Sequence, residues 1–186
     1  MHDCPVSESQ SETRSAKCQL HGVLLRVFDT GVLLLGESGI GKSECALDLI
    51  TKGHRFVADD AVDIIFDHGK LVGKAPELTR DLIEIRGLGI INVREIFGEQ
   101  VVSDESEIDL CIELQKWAEV ERIGNVVYES QIAGRPVPRF VLPVSSGRNL
   151  ATLVETAVRL HRNSHDGPST AELLIEKQAR LLDPIQ

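Results

Sequence analysis

The segment that most constrains this chain is a glycine-rich octapeptide, Gly36 to Ser43, which reads Gly-Glu-Ser-Gly-Ile-Gly-Lys-Ser. It matches the phosphate-binding loop (P-loop) pattern G-x-x-x-x-G-K-[ST] at every fixed position. Such a loop connects a strand to a helix, and its backbone N–H groups point inward to bind the phosphates of a nucleotide. The segment therefore predicts an α/β fold with a nucleotide-phosphate site.

Every residue of the loop is a candidate for nucleotide binding, and two have specific roles. We expect the ammonium group of Lys42 to reach the β- and γ-phosphates of a nucleotide and the hydroxyl of Ser43 to bind Mg²⁺. The predicted binding residues are Gly36, Glu37, Ser38, Gly39, Ile40, Gly41, Lys42 and Ser43.

The residues on either side of the loop have the order that a P-loop requires. Gly31 to Leu35 is a short apolar run typical of a buried strand, and residues 43–52 place apolar side chains on one face of a predicted helix that ends before Gly53. The alternative, a glycine-rich turn that binds nothing, is disfavoured by this order.

Length and composition limit the remaining possibilities. A chain of 186 residues with 42% hydrophobic residues can form one domain with its own core. We predict a polar, disordered arm over residues 1–18 and a catalytic domain over residues 19–186. The net charge of −9 argues against nucleic acid or an anionic membrane as the main partner. No basic and apolar leader or membrane-length apolar run is present in the sequence, so we expect a cytoplasmic protein.

The four cysteines are scattered, without the paired spacing of a metal site, and indicate reduced thiols. Cys45 lies in the first turn of the predicted P-loop helix. For this residue a small packed side chain is favoured over a redox switch.

Two adjacent carboxylates follow the next predicted strand. Asp59 and Asp60 come after an apolar run that begins at His54. Since ligands of α/β sheets bind beyond the carboxyl ends of the strands, these acids are expected to face the same crevice as the P-loop. One of them could bind Mg²⁺ through water and the other could accept a proton from an attacking hydroxyl. A solvated turn is the alternative.

Other segments are assigned from their local patterns. Residues 20–28 alternate as a strand with His21 near its start, and a lone histidine there is more often structural than catalytic. Glu84 and Arg86 precede a glycine-punctuated stretch that we interpret as a loop, where Glu84 could complete a Mg²⁺ site and Arg86 could contact phosphate. Residues 100–107 are interpreted as a flexible polar stretch. Helices are predicted over residues 149–162 and near the C-terminus.

Several motifs, in a fixed order, resemble a known family. They are His21-Gly22-Val23, the P-loop, Gly53-His54-Arg55 with Ala58-Asp59-Asp60, the segment Glu84 to Val93, and Pro143-Val144 with Gly147-Arg148-Asn149-Leu150. In this order they resemble the catalytic C-terminal domain of the HPr kinase/phosphorylases. The resemblance covers about residues 19–162.

This resemblance implies a fold and an activity. The fold would be a P-loop kinase core with a mixed, twisted sheet, similar to phosphoenolpyruvate carboxykinase, with flanking and C-terminal helices. The enzyme would be an ATP- and Mg²⁺-dependent kinase of a serine of HPr, the small phosphocarrier of the bacterial phosphotransferase system. It would also remove that phosphoryl group with inorganic phosphate and release pyrophosphate. Members resembling this chain assemble as homo-oligomers, namely hexamers.

The resemblance also implies roles for individual residues. His21, Lys42, Asp60 and Arg122 match active-site positions, with Asp59 beside them, and Ser43 and Glu84 match the Mg²⁺ ligands. Residues 84–92 match a region tied to both activities. The segment tied to dephosphorylation comprises Pro143, Ser145, Ser146, Gly147 and Arg148. Ser145 and Ser146 stand where many members have Arg-Pro, which removes a cation and weakens the expectation of the reverse activity.

Two alternatives stay open at this stage. The first is a P-loop kinase that phosphorylates another phosphotransferase-system protein or a small molecule, since nothing in the sequence encodes HPr recognition directly. The second is a nucleotide-sensing module that binds ATP without turnover. The family's usual N-terminal domain has no counterpart in this sequence, so a short natural form and a part of a longer protein are both open.

Overall fold

A computed structural model describes residues 17–116 and 128–163. Within these residues the strands are β1 (Lys17–His21), β2 (Val23–Val27), β3 (Thr30–Gly36), β4 (Arg55–Ala58), β5 (Ala61–Asp67), β6 (Lys70–Lys74), β7 (Leu82–Ile85), β8 (Gly89–Asn92), β9 (Glu105–Glu107), β10 (Leu110–Lys116), β11 (Tyr128–Ile132) and β12 (Arg135–Val144). The helices are α1 (Lys42–Thr51), α2 (Val93–Phe97) and α3 (Leu150–Asn163), and short 3₁₀ turns span Glu77–Thr79 and Glu99–Val101.

A mixed, six-stranded sheet in the order β11-β12-β10-β3-β2-β4 carries the P-loop. Strands β3, β10 and β12 are parallel to one another, whereas β2 is antiparallel to both β3 and β4. Two antiparallel steps restore direction, so β4 runs the same way as β3 and ends at the same edge of the sheet. The predicted α/β fold with a mixed sheet is confirmed.

The P-loop strand β3 is apolar on both faces because each face meets a different core. Leu34 packs with α1 and α3 on one side, whereas Leu33 packs with the second sheet on the other side. Helix α1 forms as predicted: Ala46 and Leu49 bury one face, and Gly53 follows its end at φ 91°. The layers are therefore helices, six-stranded sheet and second sheet.

The second sheet is antiparallel in the order β1-β5-β6-β9. The prediction of a single strand over residues 20–28 is wrong, because the chain passes from β1 in this sheet to β2 in the other at Gly22. A Cβ on Gly22 would lie 2.7 Å from the Leu34 carbonyl oxygen, so only glycine fits this crossing. The first strand begins at Lys17, which corrects the predicted arm by two residues; the rest of the arm lies outside the described residues.

Two further segments differ from their predictions. The stretch that begins at Glu84 is a β7–β8 hairpin rather than a loop, and Gly87 and Gly89 adopt positive φ at its turn. Within residues 100–107, predicted to be flexible, β9 pairs with β6. The glycines of the first segment and the polar residues of the second indicated turns, whereas strand formation depends on pairing with a neighbouring strand. Asn92 caps α2, its Oδ1 accepting from the Glu95 amide at 3.1 Å.

Some predictions fall on residues outside the described ranges. They include Arg122 and the helix predicted near the C-terminus. Among the residues that the structure describes, no helix combines the length and apolar character needed to cross a membrane.

The start of β3 offers a test of the packing between the two sheets. A Cβ on Gly31 would lie 1.6 Å from the Glu107 carbonyl oxygen, and the Gly31 amide donates to Asp109 at 2.7 Å. We expect Gly31→Ala to lower the free energy of unfolding by at least about 3 kcal/mol, because backbone has to move. Urea unfolding measures this change.

A glycine in an open turn is the control. Gly69 has φ 85°, and nothing lies within 4 Å of the position that a Cβ would occupy, so Gly69→Ala tests backbone conformation alone. That change should cost only about 1 to 2 kcal/mol. If both variants lose the same free energy of unfolding, the close contact between Gly31 and the Glu107 carbonyl does not determine the effect of Gly31→Ala.

Candidate active site

The phosphate-binding loop lies between the end of β3 and the start of α1. Gly36, Gly39 and Gly41 have φ values of 141°, 76° and 105°, a region that favours glycine. A Cβ on Gly36 would lie 2.6 Å from the Leu114 carbonyl oxygen of the neighbouring strand. These glycines therefore allow both the tight curl of the loop and its close approach to β10.

Lys42 is held inside this loop by its backbone. Its Nζ donates to the carbonyl oxygens of Gly36 at 2.9 Å and Glu37 at 3.0 Å, and the residue is only 7% exposed. Burial lowers the pKa of Lys42, while the nearby charges of Asp59 and Asp60 raise it. A buried ammonium group beside the loop is placed to bind phosphate oxygens.

Asp59 is a buried carboxylate next to Ser43. It is 5% exposed, and it accepts hydrogen bonds from Ser43 Oγ at 2.9 Å and from the Glu84 amide at 3.1 Å. Burial raises the pKa of Asp59, and these hydrogen bonds partly oppose that rise. The side chain thus gathers Ser43 and the β7–β8 hairpin around one potential cation site.

Asp60 and His21 form the second polar pair, at the rim of the same cleft. His21 Nδ1 lies 3.0 Å from Asp60 Oδ1, with side-chain exposures of 51% and 78%. Both residues lie where the chain crosses between the sheets, and the Gly22 amide donates to the Asp60 carbonyl at 3.1 Å. Asp60 adopts φ 67°, a strained conformation for a residue other than glycine.

One cleft brings together most of the residues predicted from the sequence. It is lined by His21, Ser38, Gly39, Gly41, Lys42, Ser43, Glu44, Asp59, Asp60, Glu84 and Arg86. The Glu84 side chain is exposed, and its backbone amide is the group that bonds Asp59. Gly36, Glu37 and Ile40 belong to the loop without lining this cleft.

The segment tied by resemblance to dephosphorylation follows the carboxyl end of β12. In the pairing of β12 with parallel β10, Val144 lies opposite Lys116. Ser145 to Arg148 therefore leave the sheet at the edge that carries the P-loop. Leu150, at the start of α3, has its Cδ1 4.0 Å from a Cβ position on Gly41. The segment is next to the loop, but it does not line the cleft described above.

An ion pair that the sequence did not indicate joins the P-loop to β10. Lys116 Nζ lies 2.8 Å from Glu37 Oε2, and this contact lowers the pKa of the exposed Glu37. No local pattern could have indicated it, since the two residues meet only through sheet pairing. Arg122 lies outside the described residues, so its predicted role stays a prediction.

Cys45 is buried among apolar neighbours of α1, as predicted. Burial raises the pKa of its thiol to about 12. The thiol is therefore protonated at neutral pH, which favours packing over redox chemistry.

The buried carboxylate of Asp59 predicts a pH-dependent cost in stability. Burial raises the pKa of Asp59 in the folded state. The contribution of protonated Asp59 to the free energy of unfolding is therefore complete below the unfolded-state pKa, and it is lost as pH rises through the folded-state pKa. In Mg²⁺-free and nucleotide-free buffer at pH 8, we expect Asp59→Asn to raise the free energy of unfolding by about 1 kcal/mol. This gain should shrink as pH falls towards the ordinary Asp pKa of about 4.

Urea unfolding at pH 8, 6 and 4.5 measures this dependence. Asp48→Asn is the control, because Asp48 is an exposed residue on α1. The control should show no comparable gain at pH 8. A less stable Asp59→Asn protein at pH 8 would mean that the hydrogen bonds to the carboxylate outweigh its burial.

Comparison with known proteins gives a consistent match. The model of the HPr Serine kinase C-terminal domain matches residues 12–178. An HPr kinase/phosphorylase of Caldicellulosiruptor bescii is 48% identical over 161 residues, which cover 84% of this chain and 52% of that protein. An HPr kinase/phosphorylase of Mycoplasma pneumoniae is 42% identical over 177 residues, which cover 92% of this chain and 57% of that protein. The chain spans about half the length of the curated relatives it matches.

A solved structure shows the same fold. It is described as the Hpr(Ser) kinase/phosphatase from Coxiella burnetii, and it superimposes with a TM-score of 0.76 at 33% sequence identity. The match covers 89% of this chain and 99% of that one. Taken with the P-loop, the two aspartates and the hairpin around one cleft, these matches show that the chain belongs to the HPr Serine kinase C-terminal domain family.

Proposed function

We propose that this chain catalyses ATP- and Mg²⁺-dependent phosphorylation of a serine of HPr, and the reverse removal of that phosphoryl group by inorganic phosphate with release of pyrophosphate. The observation that carries the proposal is the His21–Asp60 pair, 3.0 Å apart, in the cleft formed by the P-loop. A carboxylate there is placed to act as the base for an acceptor hydroxyl. A module that only binds ATP needs the phosphate loop without such a base.

In the forward direction Asp60 accepts the proton of the serine hydroxyl. The serine oxygen forms a bond to the γ-phosphorus, and the bond from that phosphorus to the bridging oxygen breaks, so that its electron pair stays on ADP. The loop amides and Lys42 stabilise the negative charge of the phosphates. His21, which contacts the Asp60 carboxyl through Nδ1, orients it towards the acceptor.

The reverse direction uses the same groups in the opposite roles. An oxygen of inorganic phosphate attacks the phosphorus of phosphoserine, and the bond from phosphorus to the serine oxygen breaks. Protonated Asp60 returns its proton to that oxygen, which leaves serine and pyrophosphate. Microscopic reversibility requires the base of one direction to act as the acid of the other.

The residues around Ser43 fit a Mg²⁺ ion. The Ser43 hydroxyl and the buried Asp59 carboxylate lie 2.9 Å apart, Glu84 lines the same cleft, and all three offer hard oxygen donors. We propose that Ser43 and Glu84 bind Mg²⁺ directly and that Asp59 holds it through water. When bound, the ion neutralises phosphate charge. No cluster of three or more His, Cys, Asp or Glu side chains suited to a metal occurs in residues 17–116 and 128–163, so phosphate and water would supply further ligands.

A protein acceptor is supported by the surface beside the cleft. Leu88 and Ile90, on the hairpin that carries Glu84 and Arg86, are 71% and 72% exposed. Exposed large apolar side chains close to an active site are typical of protein docking. The relatives are named for HPr, which makes HPr the first acceptor to test. Another phosphotransferase-system protein is the second candidate.

The same proposal includes a homo-oligomer, with the hexamer as the form that the resemblance implies, and a cytoplasmic location. It includes neither nucleic acid nor a membrane as a partner, given the net charge of −9. Light scattering of the purified protein determines the oligomeric state.

Replacing the proposed base tests its role directly. We expect Asp60→Asn to lower kcat of HPr phosphorylation by at least about 100-fold, because the amide cannot accept the serine proton. Dephosphorylation should fall as strongly. The Kd of an ATP analogue should stay within about twofold, since Asp60 does not hold the nucleotide. Steady-state kinetics and calorimetry provide these values.

Asp67→Asn is the matched control for that experiment. Asp67 is an exposed aspartate at the end of β5, where it contacts His68. The control should retain full activity. Turnover by Asp60→Asn comparable to that of the wild type would remove Asp60 from the mechanism.

The overall activity is tested by incubating the chain with HPr, Mg²⁺ and γ-labelled ATP, and then transferring washed phosphoprotein to phosphate buffer. Label on an HPr serine that leaves as pyrophosphate would establish both activities. Label that stays on HPr would show a kinase whose reverse activity is lost, consistent with Ser145 and Ser146 in place of Arg-Pro. The absence of label would direct the search to another acceptor.

A further inference from the structure

We propose that Arg86 binds the outermost phosphate of the nucleotide, the one that is transferred, and supplies a second cation to the phosphate site in addition to the buried Lys42. This inference rests on the proposed function, because it names a further residue of the same site. The inference is more specific than a general contact with phosphate, because it assigns one particular phosphate to Arg86. This residue lies on the β7–β8 hairpin, outside the P-loop.

The backbone at Arg86 is fixed by its surroundings. Arg86 follows Ile85, which is 5% exposed in the core and pairs with Gly89 at the end of the hairpin. The Leu88 amide donates to the Ile85 carbonyl oxygen at 3.0 Å and closes the turn. The Glu84 amide bonds Asp59 at 3.1 Å, which attaches the hairpin to the cleft. Arg86 therefore extends from a rigid support.

The guanidinium group of Arg86 reaches the middle of the P-loop. Its Nη2 lies 3.4 Å from the position that a Cβ on Gly39 would occupy. The loop amides around Gly39 are the donors that bind phosphate in this motif. A guanidinium group and these amides thus converge on the same region, where they would contact one anion together.

The carboxylates of the cleft leave the charge of Arg86 available. Asp59 bonds Ser43 and Asp60 contacts His21. Arg86 forms no ion pair within residues 17–116 and 128–163, although Glu84 precedes it by two positions on the same hairpin. By contrast, Arg94 is neutralised by Asp81 at 2.6 Å. A planar, unneutralised guanidinium group matches the paired oxygens of a phosphate.

The position of Arg86 in the cleft favours the terminal phosphate over the inner ones. Lys42 bonds the carbonyl oxygens of Gly36 and Glu37, where the loop begins. The Arg86 guanidinium group lies farther along the loop, beside Gly39, and lines the same cleft as Asp60, the proposed base for the acceptor. The terminal phosphoryl group is the part of the nucleotide that moves towards the acceptor during transfer. Arg86 would stabilise its negative charge as it moves.

Binding of two Mg²⁺-nucleotides tests this inference without HPr. Calorimetry measures the Kd of ADP and of the ATP analogue with a β,γ-imido bridge for the wild type, Arg86→Gln and Arg86→Lys. We expect Arg86→Gln to weaken the analogue at least about tenfold and to change ADP by less than about twofold. Arg86→Lys should fall between, because lysine keeps the charge but lacks the fork. In HPr phosphorylation, kcat of Arg86→Gln should fall about 100-fold.

Arg55→Gln is the matched control, since Arg55 is an exposed arginine on β4 at the opposite end of that strand from the aspartates. It should leave both Kd values unchanged. Equal weakening of ADP and the analogue by Arg86→Gln would overturn the assignment to the terminal phosphate, and unchanged Kd values would overturn binding by Arg86 altogether. If the wild type binds the analogue but does not phosphorylate HPr, the proposed acceptor is wrong, whereas the inference on Arg86 is still decided by the two Kd values.

Discussion

The hydrogen bond from the Gly22 amide to the Asp60 carbonyl oxygen holds together the two places where the chain passes between the sheets. It extends the antiparallel pairing of β1 with β5, in which His21 lies opposite Ala61, the residue after Asp60. This pairing brings the side chains of His21 and Asp60 to 3.0 Å at the rim of the P-loop cleft. The strained φ of 67° at Asp60 is part of the same arrangement, since strain of this kind persists where the surrounding structure imposes it.

The cleft contains charged side chains at buried positions, where apolar side chains would make the folded state more stable. Lys42 and Asp59 are both almost completely buried. Burial lowers the pKa of Lys42 and raises the pKa of Asp59, so in both cases it favours the neutral form of the side chain. A chain selected only for stability would place apolar groups there. The hydrogen bonds from Ser43 and the Glu84 amide reduce the cost for Asp59, and they do so with residues that the proposed chemistry also needs. Stability and function therefore compete at the same few atoms.

Local patterns predicted the parts of this site that are continuous in sequence. The P-loop, its strand and its helix could be predicted because glycine spacing and apolar periodicity are local. The position of Asp59 and Asp60 was also predicted correctly, although β4 reaches the shared edge through two antiparallel steps and not as a parallel neighbour of β3. The split of residues 20–28 between two sheets, strand β9 and the Lys116–Glu37 pair could not be predicted. Each depends on contacts between distant residues, which a single sequence does not reveal.

The two glycines at the ends of β3 have a consequence for how the P-loop is positioned. Because β3 is apolar on both faces, a shift by one residue would still bury hydrophobic side chains, and polarity alone sets its register only weakly. Gly31 lies against the Glu107 carbonyl and Gly36 against the Leu114 carbonyl, and neither place has room for a Cβ. Any shift would press a side chain into one of these carbonyls. These two close contacts therefore fix the register of β3, and with it the position at which the strand ends and the phosphate loop begins.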